Sequence, residues 1–259
     1  MTTQTKIALV TGAAKRLGRE IALELARAGW DLVVHYGNSQ EQALETVRLI
    51  EQLGRRAVAL QANLAIESEI DTLIARCIEA IGLPDCLVNS ASLFEYDRAQ
   101  TFTQHQLDLH MRINLGAPVA LARNLHQARI ASEKTFAHPG VVINLLDQKL
   151  SNPNPDFLTY TLSKAALDHA TVLLAQALAP ELRVVGLAPG ITLVSGDQTA
   201  DSFTQAHKMT PLGYSSSPAD IGRAVLYLVS AHAITGTTLY VDGGQHLQPT
   251  GRDVMFLTQ

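Results

Sequence analysis

Residues 7–18 read Ile-Ala-Leu-Val-Thr-Gly-Ala-Ala-Lys-Arg-Leu-Gly. A short apolar run enters a turn of small residues, and Leu17 opens an amphipathic stretch that continues to residue 28. A strand that turns tightly into a helix aims the unpaired N–H groups of the first helical turn at one point, where a pyrophosphate can sit. Gly12 and Gly18 permit the tight turn. Lys15 and Arg16 bring two cations to it, Arg16 at a place where nicotinamide-binding turns usually have glycine. Two glycines also suit a plain strand-to-helix connection, so the motif gains its weight from the strand, turn and helix around it.

The same alternation runs on. Apolar stretches at 7–11, 31–36, 57–62, 86–89, 140–146, 183–188 and 237–241 read as strands. Amphipathic or long apolar stretches at 17–28, 40–53, 67–81, 107–127 and 158–177 read as helices, and Pro218 opens another. Strand and helix in turn mean βαβ units and a parallel sheet. With no linker, repeat or low-complexity tract, the expected architecture is one α/β domain over residues 1–259. It is a Rossmann-type doubly wound parallel sheet with helices on both faces, binding ligands at the carboxyl ends of the strands. Residues 190–217 mix Gly, Ser, Thr, Asp and Gln with few large apolar residues and are expected to form a mobile lid.

Composition narrows the function. Of 259 residues 47% are hydrophobic and 17% charged, enough for one substantial core, and the net charge of −4 offers no footprint for nucleic acid or an anionic membrane. Cys77 and Cys86 form no CxxC pair and no disulfide framework, and the histidines are scattered, so no metal is expected. The first six residues pass straight into a strand without a hydrophobic signal core, and no apolar run reaches the roughly 20 residues that span a bilayer. A cytoplasmic protein acting on small molecules is expected.

At the end of the second strand, Val33-Val34-His35-Tyr36-Gly37-Asn38-Ser39 contains no acidic residue to bind an adenosine ribose. That favours NADPH over NADH, with Lys15 or Arg16, His35, Asn38 and Ser39 as candidate contacts to the 2′-phosphate. Further along, Tyr160 and Lys164 are four apart, on one face of a helix. An ammonium beside a phenol stabilises the phenolate and lowers its pKa, making tyrosine a usable general acid at neutral pH. Such a pair is common by chance; its neighbours decide its meaning.

Those neighbours are Thr11-Gly-Ala-Ala-Lys-Arg-Leu-Gly18, Asn89-Ser-Ala-Ser92, Asn114, Tyr160-Thr-Leu-Ser-Lys164 and Pro189-Gly190. In order and spacing they resemble the short-chain dehydrogenase/reductases over nearly the whole chain. The resemblance implies that Tyr160 and Lys164 are catalytic, that Lys164 also binds the nicotinamide ribose, and that Asn114 supports a proton-relay water. It implies cofactor contacts at Gly12, Lys15, Arg16, Leu17, Gly18, His35, Tyr36, Asn38, Ser39, Asn63, Leu64, Asn89, Ala91, Pro189 and Gly190, with Asn63 near the adenine. It also implies a homotetramer paired through the long helices.

Thirteen residues before the tyrosine most members of that family carry a serine that holds a substrate carbonyl; here the residue is Asp147. A carboxylate would repel a developing alkoxide, so it suits a simple ketone poorly. It suits a substrate with amide-like N–H donors and a ring nitrogen to protonate. Asp147, Arg16 and Ser92-Leu93-Phe94 together resemble the pteridine reductase subgroup. By that resemblance a pterin lies between the nicotinamide and Phe94, Ser92 and Arg16 touch pterin or cofactor, and Asp147 and Tyr160 deliver protons. The subgroup's usual arginine after His35-Tyr36 is absent, with Asn38 near its place.

The expected function is NADPH-dependent reduction of a dihydropterin to the tetrahydro form, with dihydrofolate as a further candidate. The alternatives are a carbonyl or 3-oxoacyl-thioester reductase of the same fold, and a non-catalytic NADP(H)-binding regulator.

Overall fold

The computed structural model describes residues 5–194 and 199–257. Seven strands form one sheet: β1 (Ile7–Val10), β2 (Asp31–Tyr36), β3 (Ala57–Gln61), β4 (Cys86–Asn89), β5 (Gly140–Leu145), β6 (Leu182–Pro189) and β7 (Thr238–Val241). Their order is β3-β2-β1-β4-β5-β6-β7, with every neighbouring pair parallel. Val10 of β1 faces Val34 on one side and Val88 on the other.

Successive strand residues serve opposite faces because the side-chain period is two. Ala8 and Val10 pack into one core and Leu9 into the other; Val141 and Ile143 likewise oppose Val142. Both faces are covered, so the central strands are apolar throughout rather than alternating. On the first face lie α1 (Arg16–Arg27), α2 (Gln40–Gln52) and α8 (Pro218–Ser230), and on the second α3 (Glu67–Ala80), α5 (Ala117–Ile130) and α6 (Leu158–Ala177). In α1 the buried residues Gly18, Ile21, Ala22 and Leu25 follow the helical spacing that points one face inward.

The structure departs from the sequence expectation in three places. The stretch 107–127 is not one uniform helix. α4 (Gln104–Met111) starts earlier, where Thr103 and Gln106 form a reciprocal capping box. It passes through a π turn, Arg112–Gly116, before α5 continues to Ile130. Such a turn adds a residue to the helical circuit and commonly marks a functional position; here it holds the buried Asn114. The lid region contains a helix of its own, α7 (Ala200–Lys208), capped by the Thr199 side chain. Residues 195–198 of the expected lid lie outside the described residues. After β7 the chain makes two 3-10 turns, Gln245–Leu247 and Val254–Phe256, the second of which lines a pocket with Arg16, Phe94 and Asp147.

Among the described residues no helix is long and apolar enough to cross a membrane. Cys77 and Cys86 are buried free thiols.

At Gly12 the backbone has φ +66°, and an added Cβ would lie 2.9 Å from the Ala91 Cα. Gly12→Ala therefore combines a left-handed backbone, which costs an L-residue roughly 1–2 kcal/mol, with a clash against rigid main chain. The expected outcome is a melting temperature lower by several degrees, at roughly 2–4 °C per kcal/mol for a chain of this size, read by thermal unfolding.

Candidate active site

Strand β5 delivers Asp147 to the carboxyl edge of the sheet. Its Oδ1 accepts the Lys149 N–H at 2.9 Å, capping the 3-10 turn Gln148–Leu150. Its Oδ2 accepts the Tyr160 hydroxyl at 2.9 Å. Tyr160 stands in the first turn of α6 and is 7% exposed. One turn later Lys164, also buried, donates from Nζ to the Leu145 carbonyl at 2.7 Å, with Nζ 5.8 Å from the Tyr160 ring centre. Asn114 donates from Nδ2 to Leu93 O and Ser163 Oγ, each at 3.0 Å. Its Oδ1 accepts the Leu93 N–H at 2.8 Å and the Ser92 hydroxyl at 3.3 Å. Asn114 thus ties the loop after β4 to the helix that carries Tyr160.

Burial governs the electrostatics. It pushes the Asp147 carboxyl above the usual carboxylate range, and the nearby Asp253 charge adds to this, while the Lys149 N–H and the Tyr160 hydroxyl oppose it. It raises the Tyr160 phenol well above its ordinary value, and the charge and hydrogen bond of Asp147 raise it further. This corrects the expectation that Lys164 lowers the tyrosine: the phenol's nearest charged neighbour is a carboxylate, which disfavours a phenolate. Lys164 itself is drawn down to about 8 by burial, against the opposing charge of Asp147. The pair Asp147–Tyr160 is a place where protons are held.

On the phosphate side, the Thr11 Oγ1 accepts the N–H groups of Ser90 and Ala91, both at 3.0 Å, and joins the turns after β1 and β4. Gly18 packs so tightly on the turn that an added Cβ would lie 2.4 Å from the Gly12 carbonyl oxygen. The resulting cleft, about 530 Å³, is lined by the glycine turn, Lys15, Arg16 and Leu17 on one side and by Ala91, Ser92, Phe94, Asp147 and Tyr160 on the other. Arg16 adopts φ +55°, preserving the backbone of the glycine it replaces, and its Nη2 donates to Val194 O at 2.9 Å.

His35 does not face that cleft as a phosphate ligand. It is buried beneath the turn, with Nδ1 accepting the Gly12 N–H at 3.1 Å and Nε2 donating to Ala62 O at 3.0 Å, and burial draws its pKa down to about 4. A neutral ring with both nitrogens engaged supports the turn and cannot offer charge to a 2′-phosphate. Lys15 and Asn38 are exposed, with Ser39 at the N-cap of α2 and Tyr36 half-buried at the end of β2. Asn63 closes its own turn, accepting the Ala65 N–H at 3.0 Å, and Leu64 is in the core. Asn89 is a buried cross-link, donating to Asn144 Oδ1 at 2.8 Å, and Asn144 donates in turn to Thr171. Pro189 ends β6, and Gly190 leaves no room for a side chain against Ser215 and Asp242.

On the substrate side Phe94 is 43% exposed and Ser92 is exposed beside it. Several contributors had no signal in the sequence. Phe157, at φ +55°, stacks on Phe94 with centroids 4.2 Å apart. The buried Asp97 accepts the Thr159 N–H at 3.1 Å and its hydroxyl, anchoring the residue before Tyr160. His110 completes that group, 3.0 Å from Thr159 Oγ1. Lone acidic, aromatic or histidine residues separated by 49 to 63 positions carry no spacing that announces contact.

A raised native pKa at Asp147 means that the folded state holds a proton which the unfolded chain releases. Stability therefore falls as pH rises from the ordinary carboxylate value through the raised one. Asp147→Asn removes this dependence. Its melting temperature is expected to gain on the parent as pH rises from the ordinary carboxylate value through the raised one, as followed by thermal unfolding in a buffer series.

Comparison with known proteins places this geometry. The family model described as enoyl-(acyl carrier protein) reductase matches residues 12–246. The 3beta-hydroxysteroid dehydrogenase 1 of Eggerthella lenta is 32% identical over 251 residues, covering 94% of this chain and 95% of that one. The crystal structure of FolM alternative dihydrofolate reductase 1 from Brucella suis, in complex with NADP, shares 35% identity at a TM-score of 0.85 and covers 94% of this chain and 96% of its own. Its counterpart from Brucella canis, also complexed with NADP, shares 36% identity at a TM-score of 0.87, with 94% of each chain covered. With sheet order, cleft and near full-length matches in agreement, the chain belongs to the short-chain dehydrogenase/reductase family of oxidoreductases.

Proposed function

We propose that the protein is an NADPH-dependent reductase of pterins that converts a dihydropterin to its tetrahydro form, with dihydrofolate as a second substrate to be tested. The observation that carries this is the Asp147–Tyr160 hydrogen bond on the cleft floor, with Phe94 on the same cleft. The likeness to two proteins described as alternative dihydrofolate reductases supports it.

The residues present fit the cofactor. The turn from Gly12 to Gly18 is a cradle whose glycines leave no space for a Cβ. Lys15, Asn38 and Ser39 would hold the phosphate-bearing ribose, and Lys164 the nicotinamide ribose. When bound, NADPH supplies a hydride to a ring carbon of the substrate. The protein must then place the substrate and deliver one proton to the adjoining nitrogen.

Asp147 does the first task with its carboxyl oxygens, which accept N–H groups from the amino-pyrimidine edge of the pterin and orient the ring. Phe94, braced from behind by Phe157, offers an aromatic surface to the flat substrate. For the second task, Asp147 and Tyr160 share a proton. The raised affinity of both groups for protons keeps one available near neutral pH. Lys164 fixes the end of β5 through Leu145 O, and Asn114 fixes the loop beside Phe94. The described residues of the expected lid, 190–194 and 199–217, would close over the bound substrate. A homotetramer in the cytoplasm completes the proposal, on family resemblance.

Ketone reduction is the other reading, supported by the likeness to a hydroxysteroid dehydrogenase. Against it stands Asp147 itself, which takes the place where most members of the family hold a substrate carbonyl with a serine hydroxyl.

The test follows NADPH consumption with dihydrobiopterin and with a 3-oxoacyl thioester, for the parent and for Asp147→Ser. Pterin turnover that falls about 100-fold or more in the variant is expected. Thioester reduction that survives in the variant, with no pterin turnover by the parent, overturns the proposal. The rate of pterin reduction is also expected to fall as pH rises through the elevated Asp147 pKa, because only the protonated acid can give its proton. A pH series of kcat/KM reads this limb.

A further inference from the structure

The wall of the substrate pocket opposite the glycine turn comes from the far end of the chain. Asp253, Val254 and Met255 line a pocket of about 150 Å³ together with Arg16, Phe94 and Asp147. Asp156, fully buried in the loop before α6, fixes this segment. Its Oδ2 accepts the Arg252 Nε–H at 2.7 Å and the Asp253 N–H at 2.9 Å. Its Oδ1 accepts the Tyr96 hydroxyl at 3.2 Å and pairs with Arg98 at 3.3 Å. Phe256 packs on Tyr96 and Phe157, with centroids 5.2 Å and 6.1 Å away. A carboxylate clamped from both directions, with its charges matched by two arginines, sets the backbone at Asp253 firmly.

That clamp presents the Asp253 side chain to the same pocket as Asp147. Its Oδ1 accepts the Met255 N–H at 3.2 Å, and its Oδ2 forms an ion pair with Lys149 at 3.6 Å. Resting on the pterin reading above, we propose that Asp253 is a second substrate-binding carboxylate. Asp147 and Asp253 would each accept N–H groups of one flat amino-pyrimidine substrate, and this double demand would select pterins over ketones, which have no such donors. A ketone would forgo both of these contacts, and discrimination is large where a site built to bond a donor meets a substrate that lacks it.

Asp253 would also act on Asp147. The titratable and charged groups that face Asp147 are Tyr160 from α6, Lys149 from its own turn, Lys164, Arg16 across the pocket and Asp253. Of these Asp253 supplies negative charge, which favours the protonated form of Asp147.

The experiment compares the full-length parent with Asp253→Asn and Asp253→Glu, using NADPH and dihydrobiopterin across pH 5 to 9. Asparagine keeps an oxygen to cap the Met255 N–H but turns an NH₂ group toward the substrate's donors. Asp253→Asn is expected to raise KM roughly tenfold or more with kcat at low pH little changed. It should move the alkaline limb of kcat/KM to lower pH, and Asp253→Glu should restore much of both. Asp253→Ser, which can also cap the turn, is a second variant expected to show the same rise in KM. Turnover by the parent with KM and alkaline limb within twofold of it in both Asn and Ser variants overturns the role of Asp253 and leaves the pterin reading standing. Absence of pterin turnover by the parent overturns both.

Discussion

The reversal of strand order at β1 and β4 shapes everything at the functional end of this protein. The chain leaves β1 toward β2 on one side and comes back to β4 on the other, so the turn after β1 and the loop after β4 diverge. The Thr11 hydroxyl ties them together by taking the N–H groups of both Ser90 and Ala91. His35 supports the same turn from beneath. A crevice with a rigid floor results, and β5 adds Asp147 to it from the next position in the sheet. Helix α6 then lays Tyr160 against that carboxylate.

Two acids share one hydrogen bond in a place poor in water, and neither gives up a proton easily. Such an arrangement is unfavourable to the fold and useful to chemistry, the usual balance at an active site. The same region holds the two non-glycine residues found with left-handed backbone among those described, Arg16 and Phe157. Each position of this kind costs on the order of 1–3 kcal/mol and persists where the surroundings leave no alternative. Arg16 sits in a turn whose glycines are already in contact, and Phe157 lies between the Phe94 ring and the start of α6. Strain, a proton-holding pair and an aromatic face thus coincide in one cleft.

The parallel sheet and its helices were legible because burial imposes different periods on strand and helix, and this chain keeps to them: Ala8, Leu9 and Val10 alternate between two cores, while Ile21, Ala22 and Leu25 recur on one face. Tyr160 and Lys164 were legible for a similar reason, since a helix fixes the relation of residues four apart. Asp147 could be found by counting back from Tyr160, because strand, turn and helix follow without interruption. The break within 107–127 was not legible, as a π turn needs only one extra residue and leaves the apolar pattern nearly intact. The end of the second strand makes His35 a candidate contact to the 2′-phosphate, but the Gly12 turn and Ala62 enclose its ring, a burial that depends on two other segments of the chain.

Local sequence determined the βαβ order, the glycine turn, the helix that carries Tyr160 and Lys164, and the carboxylate in place of a hydroxyl at position 147. These depend on neighbours within a few turns of chain, where backbone geometry alone sets the distances. Tertiary structure decided that Tyr160 bonds to Asp147 with its pKa raised rather than lowered, that Asn114 grips Leu93, and that Asp156 draws Arg252 and Asp253 to the cleft from 96 and 97 residues away. Such pairings form when separate elements exclude water together, and the energy of a buried charge depends on what surrounds it in space, which no local spacing encodes.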